Sequence, residues 1–63
     1  MDNHMAGYYE QKATEWEQEA AEAEKFLHTY PEAQRPHLQE YIANLRALAS
    51  SARNLASIAG EQT

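Results

Sequence analysis

Apolar residues fall alternately three and four positions apart along two runs of this chain, and two prolines lie between the runs. In the first run Ala6, Tyr9, Ala13, Trp16, Ala20, Ala23, Leu27 and Tyr30 keep that spacing. In the second, Leu38, Tyr41, Leu45, Leu48, Ala52, Leu55 and Ala59 keep it too. An α-helix turns once per 3.6 residues, so a helix gathers such positions onto one stripe, whereas a half-buried strand needs alternation by two. The sequence therefore specifies an all-α protein made of two amphipathic helices.

The alternation is also that of a heptad, abcdefg, with a and d apolar. In the first run Ala6, Ala13, Ala20 and Leu27 take a, and Tyr9, Trp16, Ala23 and Tyr30 take d. Alanine at three of four a positions lets a neighbouring helix approach closely, while the aromatic d residues fill space beside it. The second run adds a row at e, formed by Ile42, Ala49 and Ala56. Its apolar face is then wider than one neighbouring helix covers. The seam expected to serve both the core and a dimer contact consists of Trp16, Leu38, Tyr41, Ile42, Leu45, Leu48 and Leu55.

The segment HTYPEAQRPHLQ separates the runs. Pro31 biases Tyr30 away from helical angles, and Pro36, lacking an N–H, suits the first position of a second helix. Thr29 and Glu32 have the spacing of a capping box, so Pro31 to Gln34 is read as a short helical turn of its own. Gly60 is placed as the stop of the second helix, and Asp2 or Asn3 as the cap of the first. The helices are expected near 4–29 and 36–59, about 39 and 36 Å long at 1.5 Å per residue. Matched lengths and a short connection give an antiparallel helical hairpin, a single domain over residues 1–63, that dimerises into a four-helix bundle.

Size supports the same expectation. A domain of 63 residues buries only about 60% of its unfolded surface. Disulfides are excluded because there is no cysteine, which leaves oligomerisation as the remaining common support. The lack of cysteine fits a reducing, cytoplasmic setting. No run approaches the roughly 18 apolar residues of a membrane span, and the opening MDNHMAGYYEQK has neither the basic nor the apolar region of a secretory leader. The chain thus reads as soluble and unprocessed, with no membrane contact.

Charge is distributed unevenly. The net charge of −5 divides into −6 over residues 1–34, with eight acids against Lys12 and Lys25, and +1 over residues 35–63. An acidic first half argues against direct nucleic-acid binding, because phosphate contact needs clustered Lys and Arg. On the heptad frame Glu10, Glu17 and Glu24 fall at e, Glu15 and Glu22 at c, and Glu19 at g. Such carboxylates flank the apolar stripe as a solvated face. Arg46 and Arg53 both fall at b of the second helix, where a helix carrying Glu17 and Glu24 meets them as interhelix ion pairs. Acid–base catalysis is not expected, since no glutamate lies on the stripe where desolvation shifts a carboxyl.

Three further chemistries are weighed and set aside. Glu24 with His28, and His37 with Glu40, carry zinc-capable donors, but His28 at b points away from the seam where a bundle metal site is built. Ser50, Ser51 and Ser57 have no histidine within reach as a base, and the two glycines form no phosphate loop. No enzyme, metal or cofactor is therefore expected. In length and heptad pattern the chain resembles the plasmid copy-number repressors, antiparallel hairpin dimers that bind paired RNA loops. That use demands a basic helix face, and the acidic first helix departs from it.

The functional expectation is a small non-enzymatic regulatory protein, an adaptor or inhibitor, acting as a homodimer on another protein, such as one with a basic surface. Tyr8, at c, and Phe26, at g, lie off the stripe as exposed aromatics, and with Glu17 and Glu24 they are the candidate partner-binding residues. Two other readings stay open. One is an acidic antagonist that mimics nucleic acid before a nucleic-acid-binding protein. The other is a structural assembly subunit.

Overall fold

The computed structural model describes residues 4–61, and the expected cap at Asp2 or Asn3 lies outside them. A first helix, α1, spans His4–Phe26 and a second, α2, spans Arg35–Glu61. Two short 3-10 turns, Leu27–Thr29 and Glu32–Gln34, join them. The helices pack antiparallel along their lengths as a hairpin. It measures 49 × 14 × 9 Å, with a radius of gyration of 14.7 Å. A compact domain of this length has about 11 Å. The chain is thus a single two-helix layer with two broad faces.

The helices meet through small side chains. Ala13 packs with Ala49 and Ala52, and Ala20 packs with Ile42 and Leu45; Trp16 lies against both groups. Ala13 and Ala20 are 0% exposed, and no large side chain among the described residues is wholly enclosed. Alanines on both sides let the backbones come close, which is what the a positions of α1 ask for.

That close approach also selects which rows of α2 turn inward. Ile42, Leu45, Ala49, Ala52 and Ala56 are buried, so the a and e rows form the inner seam. The d row does not. Tyr41, Leu48 and Leu55 are 45%, 48% and 45% exposed. The sequence stripe had put these three on the seam with Leu38 and Leu45. Within one copy of the chain they stand at its edge, because their bulk opposite Trp16 and Tyr9 would hold the alanine rows apart. Tyr30 is likewise exposed, whereas Tyr9, Trp16 and Leu38 are partly buried.

The reversal follows the prolines. Tyr30 (φ −82°, ψ 149°) and Pro31 (φ −56°, ψ 144°) are both extended, as expected for a residue before proline and for proline itself. The Gln34 amide then donates to the Pro31 carbonyl at 2.9 Å, closing the short turn. Three boundary expectations change. Residues 27–29 tighten into a 3-10 turn rather than continuing α1, and the Thr29 hydroxyl donates backward to the Phe26 carbonyl at 2.6 Å instead of capping forward. Helix α2 starts one residue early, at Arg35, so Pro36 falls within the first turn, where its missing N–H has no partner to lose. Gly60 is helical and has no positive φ, so it continues α2 rather than stopping it.

Arg35 holds the reversal together. Its Nε donates to the Tyr30 carbonyl and its Nη2 to the His28 carbonyl, each at 3.1 Å. Those carbonyls lie just past α1, where backbone acceptors have lost their helical donors. Arg35→Ala is expected to lower stability by about 1–2 kcal/mol, near the low end of the roughly 1.5–3 kcal/mol of hydrogen bonds to charged groups, because both bonds are exposed. Arg35→Lys is expected to recover only part of the loss, since one ammonium cannot fork to both carbonyls. Thermal melts of the two variants at equal concentration check this.

Candidate interaction surface

The two faces of the hairpin differ in chemistry. On one, the e row of α1 meets the b row of α2. Arg46 donates through Nη2 to Glu24 Oε1 at 2.7 Å, and Arg53 donates to Glu17 Oε1. All four side chains are about half exposed. Glu10, Thr14, Arg53 and Ser57 line a polar hollow on the same face. The structure thus brings Glu17 and Glu24 together with the two arginines, and engages both carboxylates inside the hairpin.

The Arg46 hydrogen bond, and secondly its charge, hold the Glu24 carboxyl below its ordinary range, and the same pair raises the Arg46 guanidinium. A folded value below the unfolded one means that the stabilisation is fully present above the unfolded glutamate value of about 4.3 and disappears as pH falls through the folded value. Chemical denaturation between about pH 5 and pH 3 is therefore expected to show a shallower acid loss for Glu24→Gln than for the wild type. Equal slopes would show that the pair makes no difference in solution.

The opposite face is apolar. There the d and g rows of α1 adjoin the d row of α2. Tyr8, Tyr9, Trp16, Leu48 and Leu55 line a shallow groove of about 230 Å³, with the Lys12 stem along its rim. The Tyr8 and Tyr9 rings meet edge to face at 5.5 Å, and Lys12 Nζ stands 5.8 Å from the centre of the Tyr8 ring. The same ammonium lies 3.5 Å from Glu15. Toward the turn, Tyr30, His37, Leu38 and Tyr41 line a second hollow of about 460 Å³. Partial desolvation raises the Tyr41 phenol, helped by the charge of Glu19 and by its hydrogen bond to that carboxylate.

Of the other candidate residues, Tyr8 and Phe26 are both more than half exposed. Phe26 shares the g row with Lys12 and Glu19, so it extends the apolar face toward the turn rather than forming a separate patch. Sequence reasoning missed Ile58, which is half exposed beside Leu55. Its signal was a large aliphatic residue at g, next to the d row. It also missed Arg35, which no periodicity marks.

Among the described residues no group of three or more His, Cys, Asp or Glu side chains is placed to hold a metal ion. No helix among them is long and apolar enough to cross a membrane. No family model matches the chain, and neither the curated proteins nor the solved structures provide a match.

Proposed function

We propose that this chain is a non-enzymatic protein-binding regulator that works as a dimer of hairpins, a four-helix bundle, and presents the outer side of α1 to a partner with a basic surface. The observation that carries this reading is the contrast between the faces: one is closed by Arg46–Glu24 and Arg53–Glu17, while the other leaves Tyr41, Leu48 and Leu55 half exposed in one copy. An apolar face of that kind marks an association surface. With it covered, the outer side of α1 still offers Glu15 and Glu22 at c, with Tyr8 in the same row.

Since Glu17 and Glu24 are engaged inside the hairpin, the partner test belongs on the c row. Affinity capture from the host, using the intact chain, is expected to retain a partner that Glu15→Lys/Glu22→Lys releases. The same capture at low and high salt separates the two binding readings. An acidic antagonist of a nucleic-acid-binding protein loses its partner steeply as salt screens the charges, while docking dominated by Tyr8 does not. Retention of the same partner by the lysine variant at every salt concentration would remove the role given to α1.

A further inference from the structure

We propose that the apolar face is covered by a second copy of this chain, turned end for end about a two-fold axis at the level of Leu48, so that the turn of each copy lies beside the chain ends of the other. The proposal rests on the dimer reading above and fixes its direction.

Area points to an occupant of this size. Phe26, Tyr41, Leu48, Leu55 and Ile58 are each about half exposed. Counted at about 200 Å² per large side chain, they leave on the order of 500 Å² of apolar surface. That matches the largest patches of ordinary monomers, about 300–600 Å², and supplies most of the roughly 800 Å² that each partner gives to a standard interface. The whole chain exposes 4698 Å², against about 4,100 Å² for a compact monomer of its mass.

Charge order points to a second copy and sets its direction. On this face the d and g rows of both helices carry two formal charges among the described residues, Lys12 and Glu19. Their midpoint falls between residues 15 and 16. Packing of Ala13 on Ala49 and Ala52, and of Ala20 on Ile42 and Leu45, makes facing residue numbers total 62 to 65. Leu48 is therefore level with residues 14 to 17 of α1, at that same midpoint. Tyr41 and Leu55 lie seven residues to either side of it.

An end-for-end rotation at this level sets Lys12 of each copy against Glu19 of the other. It sets Tyr41 against Leu55, and Leu48 against itself. Glu19 lies close enough to Tyr41 for its charge to act on that phenol, so the carboxylate is on the face where the incoming ammonium arrives. Stacking the copies turn to turn instead, about an axis along the hairpin, lays α1 of each copy on α2 of the other, with Lys12 level with Ser51 and Glu19 level with Asn44. That arrangement forfeits both cross-copy ion pairs. An unrelated partner requires no such agreement between the charge midpoint and the apolar midpoint.

The chain has no cysteine, so Ala33→Cys, in the exposed turn, gives a single attachment point for a spin label. Sedimentation of the full chain is expected to show a dimer. Dipolar distance measurement is then expected to place the two labels about 50 Å apart, from about 16 residues of helix on each side of the axis at 1.5 Å each. In the turn-to-turn arrangement they fall within about 25 Å. Lys12→Glu is expected to weaken self-association about tenfold, and Lys12→Glu/Glu19→Lys to restore it to within about threefold, because the reversed pair attracts equally. A chain that stays monomeric at high micromolar concentration overturns the dimer reading itself. A dimer with the short label distance, or without rescue by the double reversal, overturns only the direction proposed here.

Discussion

Ala20→Leu is expected to force the two helices apart at their middle and to destabilise the fold by about 1–3 kcal/mol. Ala20 is 0% exposed and lies against Ile42 and Leu45, so a larger side chain has no space without separating the backbones. The alanine rows are the condition for close packing, and separation at one level also opens the neighbouring contact of Ala13 with Ala49 and Ala52. The adjacent residue is the control. Ala21 is exposed on α1, and Ala21→Leu is expected to change stability by no more than about 0.5 kcal/mol. Denaturant melts of both variants make the comparison; equal effects would mean that the alanine seam is not what sets the helix spacing.

Leu45→Ala is the second large effect, expected at about 2–4 kcal/mol. Leu45 is 5% exposed and, with Ile42, is one of two large aliphatic residues in an inner seam otherwise made of alanine. Its removal leaves a cavity beside Trp16 and Ala20 that few neighbours can fill. Cores of chains this short rarely supply more than about 3–5 kcal/mol, so the variant is expected to be largely unfolded at room temperature by circular dichroism. Leu48→Ala offers the contrast, three residues away. Its side chain is half exposed within one copy, so the change is expected to leave a dilute sample's helicity nearly intact and to act on the concentration dependence of the melt.

Helix positions were readable because each run carries its own period, and the break was readable because Pro31 and Pro36 act on their immediate neighbours. The details missed at the ends came from interactions that propensity does not register. The Thr29 hydroxyl donates to the Phe26 carbonyl rather than accepting from a forward amide, and Arg35 reached two carbonyls across the turn. Gly60 can end a helix but need not, and here the helical angles continue through it to Glu61.

The candidate surface was legible in breadth but not in orientation. The e row of α2 announced more apolar surface than one neighbour covers, and the structure leaves Tyr41, Leu48 and Leu55 half exposed. Which row would be left out depended on α1. A leucine stripe facing α1 and an alanine stripe facing α1 are equally periodic along α2, and only the size match across the seam separates them.

By itself the sequence determined two amphipathic helices, the proline-bound reversal between them and an apolar band wider than a hairpin seam, since each follows from local angles and from the 3.6-residue period. The tertiary structure decided which rows face inward, that Glu17 and Glu24 are held by Arg53 and Arg46, and that the apolar and ion-paired faces lie on opposite sides of the layer. The physical reason is that periodicity sets where side chains lie around one helix, whereas the rotation of two helices against each other is chosen by how closely their backbones can approach, a property that neither helix possesses alone.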